Sequence, residues 1–319
     1  MCLIGFAFSL GACTYHYRFL MLGERSMKRK PHMIHWLYAI ILVLTLVVAL
    51  TGLYSTNAGF PYDYVNQYGT TVRIYGDGLY ANDSFFKAPI FRASDATMLF
   101  LVVPLFLLFL IRNIAKQDKL SRSLLLGSVS MVLYYSSSLA FGAIYNDLHL
   151  AYIALFALSL FTTIVLLSQE NHDYSGITLP YKAIYAFLTI SGIALIVAWL
   201  PDILSAMLKR TSLAHIENYT TEITYVLDMG IIAPACFITM RLLQKRESLG
   251  YELLTMILFV CSAMGIMVCV QTIFQTAAGI VLPIEAIITK MAIFVALAAF
   301  SITLLGILLR RTAKHSDRT

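Results

Sequence analysis

The chain has 319 residues, of which 59% are hydrophobic and 13% charged, and a formal net charge of +6. Soluble domains carry about 25% charged residues, so this balance excludes an ordinary soluble globule and points to a polytopic membrane protein. The positive charge does not mark a nucleic-acid partner, because most lysines and arginines sit in short loops between apolar runs, as the positive-inside rule expects.

The expected fold class is all-α. In lipid each backbone amide must be satisfied within its own segment, and the apolar runs are continuous where a membrane barrel would alternate. Of the five cysteines, Cys236, Cys261 and Cys269 fall inside apolar runs, Cys2 and Cys13 lie near the start, and none lies in the long polar loops. No CxxC and no spaced Cys/His set is present, so neither a metal site, a disulfide framework nor a cofactor is expected.

Residues 1–26 are apolar but have no basic leader and no cleavage pattern, so a signal peptide fits poorly. Met27 opens MKRKPHMIHWLYAII, which reads as an ordinary start before a first span. Translation is therefore expected to begin there, with 1–26 a gene-model extension or else an extra apolar segment. From 27 to 319 the chain reads as one transmembrane domain of eight spans: 34–53, 96–112, 123–143, 149–168, 183–200, 224–243, 252–275 and 287–309. Each is close to the length that crosses about 30 Å of hydrocarbon. Fifteen lysines and arginines fall on one side and five on the other, which predicts that both termini are cytoplasmic and that the loop 54–95 lies outside.

Within that loop TVRIY, GDG and LYAND read as strand, tight turn and return, giving a small β-hairpin. Tyr62, Tyr64, Tyr68, Tyr75 and Tyr80 favour a packed loop. Pro89 is expected to keep Ala88 extended, so that the second helix starts after it with Ser94 or Asp95 as N-cap. In the functional alternative the hairpin is a lid, with Lys87 and Arg92 at its rim. Two segments echo each other. SDATMLFLVVPLF in span two and LDMGIIAPACF in span six each carry an Asp near the outer end, a Pro farther in and a basic turn beyond. Four spans separate them, so the repeats would be parallel, with Asp95 and Asp228 in related positions.

Ionisable residues within spans cost free energy and face protein or water, so they are functional candidates. Asp228 lies inside span six, Gln271 and Gln275 share one face of span seven, and Lys290 lies about a turn into span eight after Glu285. Lys290 can also snorkel to the headgroups. Tyr134, Tyr135, Ser136, Ser137 and Ser138 occupy the outer half of span three, and Asn146, Asp147 and His149 form the turn that follows. All fall toward the outer end, and the cytoplasmic half has no comparable cluster. Asp147 with His149 is too small a set for a metal. The sequons at Asn82 and Asn218 carry meaning only in a eukaryotic secretory pathway. Residues 202–214 read as a helix lying on the outer surface.

The run YGDGLYANDSFFKAPIFRASDATMLFLVVPLFLL, with LDMGIIAPACF and LGYELL downstream, resembles a family of uncharacterised bacterial polytopic membrane proteins with a YGDGLY-type outer loop. The resemblance spans most of the chain after Met27. It implies a protein of the bacterial cytoplasmic membrane and carries no activity or functional residue with it. From the residues themselves, the expected function is binding or transport of a small solute through an outward-opening polar cavity. Asp95, Asp228, Gln271, Gln275 and Lys290 would line it, with Lys87, Arg92, Asp147 and His149 at the rim. The alternatives are an intramembrane enzyme acting on a lipid or lipid-linked substrate, and a sensor or assembly partner that binds another membrane protein through 54–95.

Overall fold

The apolar runs fold as helices because hydrocarbon leaves the backbone no partner but itself. In the computed structural model, which describes residues 31–168, 174, 177–214, 216–282, 284 and 291–316, ten helices and one small hairpin are seen among those residues. In chain order they are α1 (Pro31–Tyr54), β1 (Tyr62–Val65), β2 (Thr71–Ile74), α2 (Ala88–Thr97), α3 (Val103–Lys116), α4 (Lys119–Gly142), α5 (His149–Ser168), α6 (Tyr181–Lys209), α7 (Ile223–Leu227), α8 (Ala233–Gln244), α9 (Ser248–Ala277) and α10 (Ala292–Ser316). A single π turn joins α2 to α3 and another joins α7 to α8, so ten helices make eight long ones. All eight are long and apolar enough to cross a membrane. Their outer faces carry large exposed apolar side chains such as Phe100, Ile164, Val197 and Ile231, which water would not tolerate and lipid does. The protein is an integral membrane protein, an all-α polytopic bundle with a small hairpin.

The chain divides into two compact units, Met1–Ala39 and Ile40–Thr319. The described part of the first is the opening of α1, Pro31–Ala39. In the second, α4 and α9 form the centre. They pack on each other, α9 also packs on α2, α8 and α10, and α4 also packs on α3 and α5. The buried faces of α4 and α9 are rich in small residues, which let helices approach closely in lipid. Gly127 on α4 leaves no room for a Cβ against Phe259 on α9.

Several sequence expectations change here. Helix α2 begins at Ala88, with Pro89 in its first turn. That position lacks an amide partner in any case and suits proline's fixed φ. Asp95 is consequently two turns inside the helix and is not its N-cap. The expected return through Gly76-Asp77-Gly78 is present, the Tyr75 amide donating to the Asp83 carbonyl, Gly76 to Ala81 and Phe85 to Arg73, with Ile74 bridged to Ser84, but the ladder of β2 is with Tyr62–Val65 in antiparallel register, Asp63 opposite Arg73. Asn66 makes that turn, its Oδ1 accepting the amides of Tyr68 and Thr70. The Gly76-Asp77-Gly78 stretch is a docking point. Both glycines have positive φ and approach the carbonyls of Phe60 and Ser55 too closely for a Cβ. Asp77 accepts from the Thr56 hydroxyl and the amides of Asn57 and Gly59, and these bonds, the Asn57 amide foremost, hold its carboxyl below the usual range. Residues 202–209 are the last turns of α6, which runs unbroken through Pro201 and ends at Arg210 in the left-handed conformation. Residues 1–26, Glu285 and Lys290 lie outside the described residues.

Candidate functional site

Each π turn stands at the same distance from a proline. Met98–Val102 precedes Pro104, and Asp228–Ile232 precedes Pro234. Proline offers no amide and crowds the carbonyl a turn before it. The helix responds by widening, so that Val103 N–H bonds to Met98 and Ala233 N–H to Asp228, five residues back. The echo read in the sequence is therefore a shared backbone irregularity. Aligned on the prolines, Asp228 matches Met98, and Asp95 lies three residues earlier. The two aspartates are close to a turn apart in this alignment and are not equivalent.

Both carboxylates are enclosed. Asp95 has no exposed surface and Asp228 is 4% exposed. Each takes one donor per oxygen. The Tyr135 hydroxyl donates to Asp95 Oδ1 and the Tyr80 hydroxyl to Oδ2 at 2.8 Å. The Tyr134 hydroxyl donates to Asp228 Oδ1 at 2.9 Å and the Trp199 indole to Oδ2 at 2.9 Å. Consecutive helical residues diverge by about 100°, so Tyr134 and Tyr135 on α4 reach two different neighbours. Such bonds let an acid persist in a medium where an isolated one costs about 2.5–3.5 kcal/mol on insertion scales.

The other sequence candidates distribute as follows. Gln271 Nε2 donates to the Ser94 hydroxyl at 3.0 Å, and Gln275 Nε2 to the Phe86 carbonyl at 3.2 Å, so both tie α9 to the start of the second span. Arg92 donates to the Tyr75 hydroxyl at 2.6 Å and to the Leu53 carbonyl at 2.9 Å, fastening the loop to the end of α1. Lys87 pairs with Glu222 at 2.6 Å and lies 4.3 Å from the Tyr219 ring centroid. Asp147 is exposed, and the His149 ring lies beside Tyr145. No group of three or more metal-ligating side chains occurs among the described residues.

Some participants were not legible as site residues. Tyr80, Trp199 and Tyr219 are single aromatic residues whose partners lie far away in sequence. Asp83, seen in the sequence only as part of a sequon, is fully buried. Its Oδ1 accepts the Ile144 amide and the Tyr219 hydroxyl at 2.8 Å, Oδ2 has no partner, and burial pushes its carboxyl up to about 7. At the opposite end of the bundle the expectation of no polar cluster is corrected. Glu252 is buried and accepts from Tyr174 at 2.7 Å, Tyr174 stacks on Tyr251, and Tyr251 meets Tyr181 at 2.7 Å. Arg246 lies over Tyr181. The signal was present in LGYELL, where an acid and a tyrosine enter an apolar helix side by side.

Two hollows lie on the surface. One, about 410 Å³, is at the hairpin end. The other, about 580 Å³, is an apolar groove between α6 and α10, walled by side chains such as Ile193, Val197, Phe294 and Leu297. Trp199 stands beside it, its ring 6.4 Å from that of Phe294. No protein-family model, curated protein or solved structure matches the chain.

Proposed function

We propose that the protein binds and moves a small solute across a bacterial cytoplasmic membrane, with both termini cytoplasmic and the hairpin outside. The reading rests on one observation: two buried carboxylates sit on helices interrupted by π turns at prolines, each held by one of two consecutive tyrosines. Interrupted helices with polar groups at depth recur in transporter binding sites. Asp228 is the proton- or cation-responsive group, and Asp95 is its counterpart on the other interrupted helix. Gln271 and Gln275 line the path once α2 and α9 part, and Lys87, Arg92, Asp147 and His149 rim it. The enclosed carboxylates correspond to a closed state.

Cysteine accessibility tests this. Asp228→Cys is placed in a chain whose native cysteines are Ser or Ala, and intact cells are treated with a membrane-impermeant maleimide. Labelling, faster when residues 71–84 are deleted, is expected. No labelling of the folded protein, with or without that deletion, would falsify the reading and leave Asp228 a structural tie.

A second reading is an enzyme acting on a lipid-linked substrate. It is favoured by the apolar groove between α6 and α10, because Trp199 stands between that groove and Asp228. An acyl or isoprenoid chain in the groove would bring its headgroup toward an acid. A lipid that co-purifies with the parent and is lost on Val197→Trp would support it.

A further inference from the structure

Four buried side chains lie between the outer loop and the second span. Asp83, Tyr152 and Asp95 have no exposed surface, and Tyr80 is 1% exposed. The inner end is hydrogen-bonded, with the Tyr80 hydroxyl donating to Asp95 Oδ2 at 2.8 Å. Tyr152, in the first turn of α5, places its hydroxyl near that of Tyr80 and near the Asn146 side chain, within electrostatic reach of both Asp83 and Asp95. It nonetheless completes no hydrogen bond among the described residues, and neither does Asp83 Oδ2. The outer end is anchored. Asp83 Oδ1 accepts the Ile144 amide and the Tyr219 hydroxyl, and Asn82, one residue earlier, is exposed. Buried polar atoms are nearly always hydrogen-bonded. Two orphaned oxygens on side chains that sense each other therefore point to a shared partner, and a buried water suits them.

We propose that Asp83, Tyr152 and Tyr80, with one ordered water between the first two, form a proton relay from the outer surface to Asp95, and that the proton is the ion coupled to transport. The relay rests on the transport reading for what the proton drives, though not for its path. A proton from outside is held on Asp83 as the carboxylic acid. It passes to the water, which gives a proton to the Tyr152 oxygen. Tyr152 releases its hydroxyl proton to Tyr80, whose oxygen has lone pairs to accept it, and Tyr80 releases its own to Asp95. Each O–H bond that breaks is matched by one that forms, and no oxidant or reductant is needed. Burial sets the Asp83 carboxyl at about 7, so it loads and unloads in the neutral range. The charged and titratable groups beside the line are Lys87 and Tyr219 at Asp83, His149 at Tyr152, and Arg92 and Tyr135 at Asp95. A hard metal cation fits poorly. It takes about six oxygen ligands, whereas each Asp95 oxygen already faces a hydroxyl hydrogen and Lys87 and Arg92 repel it.

The test uses the full chain purified in detergent and followed by infrared spectroscopy on dilution into D2O. The carboxylic-acid C=O band that Asp95→Asn removes marks Asp95, and its deuterium shift times the arrival of protons from solvent. Exchange is expected to slow about a hundredfold in Tyr152→Phe and in Asp83→Asn, which is the scale that a positioned proton-transfer group contributes. The sign separates a relay from packing, because a variant that merely loosens the fold opens Asp95 to solvent and speeds exchange. Asp83→Asn keeps acceptors for Ile144 and Tyr219, so it decides the matter even where Tyr152→Phe fails to fold. Tyr134→Phe, whose hydroxyl serves Asp228, is the control and should not slow exchange. Failure of the Asp228 labelling would remove the transport reading and leave the exchange result standing. The relay is overturned if Asp95 shows no protonated band, or if exchange in either folded variant is as fast as in the parent.

Discussion

Tyr134 and Tyr135 are neighbours in the chain, yet each donates its hydroxyl to a different buried carboxylate, Asp228 and Asp95 respectively. Helix α4 thereby links the two helices that carry π turns. A buried acceptor left without its donor costs about 1–3 kcal/mol. Tyr134→Phe and Tyr135→Phe are each expected to lower stability by that amount in denaturation of the detergent-solubilised protein. Because the two tyrosines share no partner, their effects should add to within about 0.5 kcal/mol. Tyr135→Phe with Tyr80→Phe should not add, because both serve Asp95.

Two glycines should answer alanine in opposite ways. A Cβ on Gly52 would fall on the Asp95 carboxylate, with its Cγ 2.7 Å and the Tyr80 hydroxyl 2.8 Å away. Gly52→Ala must push one of them aside and is expected to cost about 2 kcal/mol or more, with most of the loss coming from a broken Tyr80–Asp95 bond. Gly230 lies in the second π turn with open space around it. Gly230→Ala should be neutral or stabilising by up to about 1 kcal/mol. Parallel melts of the two variants check the contrast.

The spans themselves were readable because their signal is local. Hydrocarbon demands a fixed run of apolar residues, and the fourth span, 149–168, was placed to the residue. Errors arose where a breaker residue was tolerated. Pro89 opens α2 and Pro201 sits inside α6, and sequence alone did not separate a proline that ends a helix from one that the helix absorbs. The return of TVRIY through Gly76-Asp77-Gly78 was legible from its glycines and is seen in the Tyr75–Asp83 and Gly76–Ala81 bonds, but the longer ladder of β2 with Tyr62–Val65 was not, because the Asn66 turn that fixes its register is a weaker signal than those glycines. The buried aspartates stood out by cost, since each is a short acid in an apolar run. Their donors did not, because Tyr80 and Trp199 look like any aromatic residue until the chain brings them together from far away. Gln271 and Gln275 share a face, as their spacing said, and that face is tied to Ser94 and to the Phe86 carbonyl at the start of the second span.

Lys87 and Glu222 form a largely buried ion pair at 2.6 Å. Breaking such a pair leaves one charge uncompensated, whereas replacing both partners with apolar residues removes both desolvation costs. Lys87→Met is expected to destabilise by about 3 kcal/mol. Lys87→Met with Glu222→Leu should recover most of that loss. Equal damage in single and double variants would mean that the Tyr219 ring beneath Lys87 matters more than the charge of Glu222.

Asp83 makes the docked loop sensitive to pH. Its carboxyl titrates near 3.8 in the unfolded chain and at about 7 when folded, because burial disfavours the anion more than the Ile144 amide, the Tyr219 hydroxyl and nearby Lys87 favour it. The folded state therefore holds the proton more tightly. This stabilising contribution is complete below about pH 3.8, declines as pH rises and is gone above about 7. With each pKa unit worth about 1.4 kcal/mol, the full swing is on the order of 4 kcal/mol. The carboxyl joins residues 54–87 to the turn before α5 and to the segment before α7, so those contacts should loosen first. Hydrogen exchange at the Ile144 and Tyr75 amides, corrected for intrinsic rates, should show protection falling between pH 5 and pH 8. Asp83→Asn should flatten that profile, since it keeps an acceptor for Ile144 and Tyr219 and carries no charge to desolvate. An unchanged slope in Asp83→Asn would assign the pH response to another group.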